Sequence, residues 1–345
     1  MHEKSLKKNG ASRYTKCMIR MAHISDLHFS KFSLNPSQLL SKEWLGNMNL
    51  LFNRSNHYAN SRPFSLLQTF LERRITHVLI SGDLTTTASH REYAMAKAFT
   101  RSLELQGMKV IAIPGNHDHY TKAAEREKRF STYFPSPSDS PFNLQQHGVS
   151  LFSLCPGWQL ILLDTTYASS LFSSTGLFTK RVEKHLKEAL QMIPNGDRVI
   201  LMNHFPFIHH DTQRRRLIRG EALQKLATQS ALYLYGHTHR YTIADLRLNG
   251  LPLLLNCGST GHQRGSWSQL SLERNQLTVT PFHWEASWQK GGEERFYFPD
   301  EERAEPLKLE KQRGEVNRER MSRGHAHLKI HPSPSRAPLN ASVTA

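Results

Sequence analysis

The segment IRMAHISDLH, residues 19–28, joins a short apolar run to two residue types that bind metal ions. Its first seven residues, Ile19–Ser25, have the length and apolar content of a buried strand. Asp26 and His28 follow two residues apart, where the strand period of two predicts that both side chains point the same way. One cation could therefore take both side chains as ligands.

The same arrangement, an apolar run that leads into Gly, Asn, His or Asp, occurs four more times. It is typical of core strands that feed loops in an α/β protein. Two segments at helical spacing, Ser89–Gln106 and Thr179–Met192, lie between these runs. Ser89 and Glu92 have the spacing of a capping box, which predicts where the first helix begins. We therefore predict a sheet covered by helices. The further runs are His77–Ser81, Val110–Pro114, Arg198–Met202 and Ala231–Tyr235.

The pattern changes after Gly250 to short strands without clear helices between them, and we expect these strands to complete a second sheet. From residue 291 onward the chain is charged with few β-branched residues, so burial is not expected to offset the entropy of ordering it. We predict a flexible basic extension over residues 1–17, one domain over residues 18–290 and a disordered tail over residues 291–345. The predicted strands are Pro252–Asn256, Gln269–Glu273 and Leu277–Pro281.

Two long segments interrupt the predicted domain, at about residues 29–64 and 119–147. The first mixes aromatic with basic residues, and the second has a basic helical start and a Pro/Ser-rich end. Insertions of this length in a compact domain are usually functional lids or disordered loops. We consider both segments candidate lids, and for the first a satellite core under a loop is an equal alternative.

Composition restricts the class of protein. With 345 residues, 38% of them hydrophobic, the chain can bury one large core or two modest ones without disulfides. Three widely spaced cysteines form neither a disulfide framework nor a CxxC motif, which favours a reducing compartment. The sequence shows neither a secretory h-region nor an apolar run of about 20 residues. We expect a cytoplasmic protein, with peripheral contact at the inner face of a membrane left open.

The formal net charge of +16 attracts polyanions. The partners that we expect are phosphorylated small molecules or lipid-linked substrates. Nucleic acid and an acidic membrane surface are further candidates, and the sequence indicates no obligate protein partner.

Further metal-binding residue types follow the other apolar runs. Asp83 follows the small Gly82, which would let the backbone approach a metal cluster, and its two carboxylate oxygens could bridge two ions. Asn116 offers a hard oxygen ligand. A mixed set of nitrogen and oxygen ligands suits Mn, Fe, Zn or similar ions rather than Ca. The nitrogen ligands at these run ends are His204, His237 and His239.

Two further sets of residues could act on a substrate. His117 is adjacent to Asn116 and must point elsewhere, so it is available for proton chemistry, and Asp118 is a candidate for orienting its imidazole. Four arginines after His204 could contact a substrate phosphate or an anionic surface. A solvated basic helix face is the alternative interpretation. These arginines are Arg214, Arg215, Arg216 and Arg219.

In this order, the motifs resemble the five signature blocks of the calcineurin-like metallophosphoesterases. A single Asp-x-His or Gly-Asp arises by chance in many chains, whereas the ordered set, spread over most of Ile19–His239, is highly specific. The resemblance implies an α/β sandwich of four layers, α/β/β/α, with two mixed sheets, flanking helices and a metal site at the strand ends. The blocks are Asp26-Leu-His28, Gly82-Asp83, Gly115-Asn-His-Asp118, Asn203-His204 and Gly236-His-Thr-His239.

Carried over by position, the resemblance implies two divalent or trivalent metal ions that share one carboxylate. The implied activity is hydrolysis of a phosphodiester, phosphomonoester or diphosphate bond by a hydroxide that bridges the ions. His117 would be the general acid. The first ion would be held by Asp26, His28, Asp83 and His239, and the second by Asp83, Asn116, His204 and His237.

Three alternatives to a general phosphoesterase remain open at this point. The net charge favours a nuclease, although no basic groove interleaved with aromatic residues is evident. Cleavage of a UDP-linked acyl-sugar diphosphate is the second, because the first insertion could receive acyl chains. The third is a non-catalytic scaffold of the same fold, against which the intact ligand set argues, since a scaffold has no need of His117.

Overall fold

The computed structural model describes residues 18–30, 58–136, 140–168, 173–208 and 215–299. The predicted extension, most of the first insertion, Arg214 and the chain beyond residue 299 lie outside these ranges. Within them, no helix is long and apolar enough to cross a membrane.

The first sheet combines three parallel strands from the N-terminal part of the chain with antiparallel strands from its C-terminal part. Its order is β14-β13-β12-β1-β2-β3, and β15 also pairs with β13. Met21 lies opposite His77 in the parallel pair β1/β2, and Ile19 lies opposite Leu272 in the antiparallel pair β1/β12. The strands are β1 (Ile19–Ile24), β2 (His77–Ile80), β3 (Lys109–Ala112), β12 (Ser266–Leu272), β13 (Gln276–Glu285), β14 (Ser287–Lys290) and β15 (Glu294–Tyr297).

The second sheet has six strands in the order β10-β11-β9-β7-β5-β4. Its central strands β5, β7, β9 and β11 are parallel, and β4 and β10 are antiparallel edge strands. A short pair, β6 and β8, lies apart. The strands are β4 (Val149–Cys155), β5 (Trp158–Leu163), β6 (Gly176–Leu177), β7 (Arg198–Met202), β8 (Leu217–Ile218), β9 (Leu232–Tyr235), β10 (Tyr241–Asp245) and β11 (Leu253–Cys257).

Helices cover the outer faces of the sheets. The predicted capping box is present: the Glu92 backbone N–H donates to Ser89 Oγ at 3.3 Å, and the Ser89 N–H donates to Glu92 Oε2 at 3.1 Å. The described helices are α1 (Ser61–Phe64), α2 (Leu66–Glu72), α3 (His90–Glu104), α4 (Lys122–Arg126), α5 (Arg129–Tyr133), α6 (Leu144–His147), α7 (Lys180–Gln191) and α8 (Gly220–Ala227), with a 3₁₀ turn at Arg247–Asn249.

Alternation along the strands produces the layers. In β2, Leu79 packs into the cluster between the two sheets, whereas Val78 and Ile80 pack into a second cluster with α2 and α3. In β7, Ile200 faces the first sheet and Val199 packs with α7. Because both faces of these strands are buried, they read as continuous apolar runs. The predicted four-layer sandwich of two mixed sheets is confirmed.

The prediction of which strands form which sheet was wrong. The five apolar runs do not share one sheet, because β1, β2 and β3 lie in the first and β7 and β9 in the second. The strands after Gly250 also belong to different sheets. β11 lies in the second sheet, whereas β12 pairs with β1 and β13 pairs with β12 in the first. Local periodicity predicts a strand but carries no information about its partner, which the packing of the whole chain selects.

The predicted boundary at residue 290 was also wrong, because β15 continues the first sheet. Phe296 and Phe298, two residues apart, belong to the core between the sheets, and the Phe298 ring lies 5.4 Å from that of Trp158. The alternation of Phe296 and Phe298 is short and lies among charged residues, so the sequence pattern did not indicate a strand there.

The second insertion, residues 119–147, contributes α4, α5 and α6. Its described side chains include Ala124 and Phe130 in the core of the first sheet and its helices, and Leu144 in the core between the sheets. This part of the segment is therefore a component of the core layers.

Candidate metal centre

The predicted ligands converge where five strands from both sheets end at the same edge of the sandwich. Asp26 and His28 follow β1, Asp83 follows β2, and Asn116 lies beyond β3. The second sheet contributes His204 after β7 and two histidines, His237 and His239, after β9.

The first ligand group contains Asp26, His28, Asp83 and His239, and one ligand atom of each lies within 4.8 Å of all the others. His239 Nε2 is 3.0 Å from Asp26 Oδ1 and 3.3 Å from His28 Nε2. Asp26 Oδ1 is buried and accepts no hydrogen bond. An ion at this position would provide the missing partner for that oxygen.

The second ligand group contains Asp83, Asn116, His204 and His237. His204 Nε2 lies 3.5 Å from Asp83 Oδ2 and 3.2 Å from Asn116 Oδ1, which is 3.0 Å from His237 Nδ1. Asp83 Oδ2 also lies 3.7 Å from His28 Nε2, so this oxygen belongs to both groups. The position of Asp83 fits a carboxylate shared by two ions.

Backbone conformation at the ligands differs from the strand geometry that the sequence suggested. Strand β1 ends at Ile24, and Asp26 and His28 have φ angles of 53° and 50°. They meet through left-handed loop residues, and hydrogen bonds from Asp26 N to Gly82 O and from His28 N to Asp83 O hold that loop. Asp83, His237 and His239 also have positive φ. Such strained backbone persists where surrounding structure enforces it, typically at functional sites.

Gly82 is required by both conformation and space. Its φ is +103°, and a Cβ there would lie 2.5 Å from His204 Nδ1. The predicted close approach of the backbone to the site is thus present, since only glycine satisfies both conditions without strain.

Backbone carbonyl groups orient two of the ligand imidazoles. His204 Nδ1 lies 2.8 Å from Ser81 O, and His237 Nε2 lies 3.0 Å from Arg215 O. Each carbonyl selects the tautomer that leaves the other ring nitrogen to face the ligand group.

His117 lies beside the ligand groups without belonging to either. Its backbone N–H donates to Asp83 Oδ1 at 2.8 Å, and its ring contacts that of His28 edge-on at 4.9 Å. Its Nδ1 lies 2.7 Å from Thr86 O, and the ring stacks on Tyr120 at 5.4 Å. This placement suits a proton donor adjacent to two metal ions.

Asp118 does not orient the His117 ring as the sequence suggested. Its buried carboxylate accepts hydrogen bonds from the backbone N–H groups of Leu84, Thr85 and Gly115 and from the Thr85 hydroxyl. Thr86 O holds the imidazole instead. Burial, followed by the Asp83 charge, raises the pKa of Asp118 to about 7 against the effect of these donors. Asp118 therefore ties the β2 and β3 loops together.

Burial and neighbouring charges shift the pKa values of three groups in the site. Burial would raise the pKa of Asp83, but the charges of His204, His117 and His28 lower it well below its usual value. For His204, burial lowers the pKa but Asp83 outweighs it and raises the pKa to about 9. Burial lowers the pKa of His237 to about 3. Since a ligating imidazole must be neutral, metal binding would displace the proton from His204.

The arginines take different positions. Arg214 lies outside the described residues, and Arg215 and Arg216 are exposed. Arg219 pairs with Glu183 and donates to Phe178 O, so its guanidinium has a structural role.

Several residues that shape the site gave no sequence signal. Ser81 and Thr86 act through backbone carbonyls, which any residue could supply. Tyr120 and Tyr58 contact His117 and His239 through aromatic side chains that carry no recognisable spacing. Only the folded chain brings them to the ligands.

The family described as calcineurin-like phosphoesterase matches residues 19–241. A dimetal phosphatase from Danio rerio has a TM-score of 0.55 and 14% identity, covering 79% of this chain and 98% of that one. A purple acid phosphatase from yellow lupin (Lupinus luteus) has a TM-score of 0.57 and 13% identity, covering 82% of this chain and 54% of that one. At such identities the likeness shows the fold alone. The sequence comparison with curated proteins found no match.

The family match begins at the first residue of β1 and ends at the first residue of β10. It therefore spans every predicted ligand, and it covers well over half of the 345 residues. The fold agrees with both solved structures. The chain belongs to the calcineurin-like phosphoesterases.

Proposed function

We propose that the protein hydrolyses phosphate esters with two metal ions held by the two ligand groups and with His117 as the general acid. The observation that carries the proposal is the position of Asp83 Oδ2. It lies 3.7 Å from His28 Nε2 of one group and 3.5 Å from His204 Nε2 of the other. A carboxylate in this position supports a pair of ions that share it.

The donor set supports Mn, Fe, Zn or similar ions, because imidazole nitrogens are combined with carboxylate and amide oxygens. Two bound ions would supply positive charge for the phosphoryl oxygens and would lower the pKa of a bound water to about 7. The contribution of the chain is to hold the ligands in orientation, which the carbonyls of Ser81 and Arg215 do for His204 and His237.

His117 supplies the proton for the leaving group. In the protonated ring Nδ1–H donates to Thr86 O, which leaves Nε2 as the nitrogen that passes a proton to the departing oxygen as the P–O bond breaks. After the transfer, the same hydrogen bond selects the neutral tautomer with hydrogen on Nδ1. The ring keeps its orientation, and Nε2 takes up a proton from water before the next turnover.

The substrates that we propose are phosphorylated small molecules, including lipid-linked ones, with a phosphodiester, phosphomonoester or diphosphate as the bond cleaved. The net charge of +16 supports an anionic partner. Nucleic acid is the second candidate, because the same charge would favour a phosphate backbone. We propose that the protein acts in the cytoplasm, where peripheral contact with an anionic membrane surface is compatible with this charge.

The test is hydrolysis by the purified full chain with Mn²⁺ of bis-p-nitrophenyl phosphate, a diester, and p-nitrophenyl phosphate, a monoester. His117→Ala and Asp83→Asn remove the proposed acid and the shared ligand. His90→Ala is the matched control, because that histidine is exposed on α3.

We expect Mn²⁺-dependent turnover of at least one substrate, loss of turnover in both site variants and unchanged turnover in His90→Ala. Cleavage of the diester alone would identify a phosphodiesterase. No turnover of either substrate, or full turnover in His117→Ala, would contradict the proposal as stated. Salt-dependent DNA binding together with DNA cleavage would identify the nuclease alternative.

A further inference from the structure

Tyr58 lies against the exposed side of the first ligand group. Its hydroxyl oxygen is 3.0 Å from His239 Nδ1, and its ring contacts His28 edge-on at 4.9 Å. Tyr58 also forms an isolated antiparallel bridge with His262, with the two rings 5.5 Å apart. The backbone bridge and the ring contacts together define where the phenol sits.

The contact that orients His239 differs from the contacts that orient His204 and His237. The second nitrogens of His204 and His237 lie against backbone carbonyls, which are present whatever the sequence. The second nitrogen of His239 lies against a side-chain hydroxyl instead. The orientation of this ligand therefore depends on the identity of one residue.

We propose that Tyr58 is a positioning residue for the first metal ion, acting through His239. The inference rests on the proposed function, because it requires His239 to ligate an ion. If Nε2, which is 3.0 Å from Asp26 Oδ1, gives its lone pair to the ion, the ring hydrogen is on Nδ1. Nδ1–H then donates to the Tyr58 oxygen, which fixes the tautomer and the ring plane.

The contact between Tyr58 and His239 matters because His239 is the most exposed member of the first ligand group. The His239 side chain is 32% exposed, whereas Asp26 is fully buried and His28 is 1% exposed. Asp26, His28 and Asp83 are confined by packing, so removing one hydrogen bond should affect His239 most. Loss of such an outer partner of a metal-ligating histidine typically costs about 10–100-fold in metal affinity.

The test is calorimetric titration of the chelator-treated full chain with Mn²⁺, comparing wild type, Tyr58→Phe and Tyr297→Phe. Tyr58→Phe keeps the ring contacts with His28 and His262 and removes the hydroxyl. Tyr297→Phe is the matched control, because Tyr297 is exposed on β15 and belongs to neither ligand group. The melting temperature of each metal-free protein is measured alongside.

We expect wild type and Tyr297→Phe to bind two Mn²⁺ with the same affinities. Tyr58→Phe should bind one ion as wild type does and the other about 10–100-fold more weakly, with an unchanged metal-free melting temperature. If Tyr58→Phe bound both ions with wild-type affinity, the inference about Tyr58 would be wrong and the proposed function would be unaffected. A lowered metal-free melting temperature would also overturn it, by showing a structural role. Failure of wild type to bind Mn²⁺ would overturn the proposed function with it.

Discussion

At the scale of single residues, His117 is held at both its backbone and its ring. The backbone N–H donates to Asp83, and the ring is bound to Thr86 O and stacked on Tyr120. The contacts that join the two ligand groups are between other side chains, His28 and His204 with Asp83. The side chain can therefore be removed while the ligands remain in place.

We predict that His117→Ala lowers kcat by about 10²–10⁴-fold, the usual contribution of a positioned general acid. The bound Mn²⁺ should stay at the wild-type amount, because Asp83 keeps its hydrogen bond from the backbone N–H of residue 117. Steady-state kinetics and elemental analysis of the dialysed protein measure the two quantities. Loss of Mn²⁺ in parallel with kcat would instead place His117 among the ligands.

At the scale of elements, the start of α3 and the loop before it form one unit. Buried Glu92 of α3 accepts hydrogen bonds from the Thr87 backbone N–H and hydroxyl, both at 2.9 Å, as well as from Ser89 N. Thr86, the residue before Thr87, supplies the carbonyl that orients His117. The helix cap thus supports a contact in the candidate active site.

We predict that Glu92→Ala destabilises the protein by about 1–3 kcal/mol for the buried donors left without an acceptor. It should also lower kcat, because the Thr86 carbonyl loses its support. Ser89→Ala is the control, which should cost about 1 kcal/mol as a lost N-cap and leave kcat unchanged. Urea unfolding and steady-state kinetics of both variants give the comparison. Equal kcat in the two variants would show that Glu92 does not support the position of His117.

At the scale of the whole molecule, the end of the described chain closes the core between the sheets. Phe296 and Phe298 pack there, and Arg198 donates to Phe298 O at 2.8 Å. We predict that a chain ending at residue 290 is destabilised by at least about 3 kcal/mol, since a buried Phe contributes about that much. This corresponds to roughly 6–12 °C in Tm.

A chain that ends at residue 299 is the control for this truncation and should melt within about 2 °C of the full chain. Differential scanning calorimetry of the metal-free proteins makes the measurement. If both truncated chains melted like the full one, β15 would be dispensable and the boundary near residue 290 would be restored.

The candidate ligands also connect the two sheets, because Asp26, His28 and Asp83 follow strands of one and His204 and His239 follow strands of the other. We predict that Mn²⁺ at about 100 times its Kd stabilises the protein by about 2.7 kcal/mol for each site filled. A chelator should reverse the rise in Tm. Asp83→Asn, which lacks the shared carboxylate, should show little of it. An equal rise in that variant would indicate Mn²⁺ binding elsewhere.

Much of the fold and the site follows from local sequence. The run Arg198–Met202 is a strand with the predicted bounds, and the capping box marks the start of α3 as predicted. The candidate ligands were predicted from the types and the order of the residues that follow the apolar runs. Their side chains do meet, although Asp26 and His28 do so through left-handed loop residues rather than strand alternation.

Local sequence by itself determined β1, β2, β3, β7 and β9 and the start of α3, and it indicated the candidate ligands, because periodicity, capping and ligand type are properties of neighbours along the chain. It gave no indication of β4, β5 or β15. Only the tertiary structure decided that β12 and β13 pair beside β1, that Thr86 rather than Asp118 holds His117, and that Tyr58 contacts His239. These contacts join residues far apart in sequence. They arise when the packing of whole layers selects partners, and a backbone carbonyl that acts there leaves no mark on residue type.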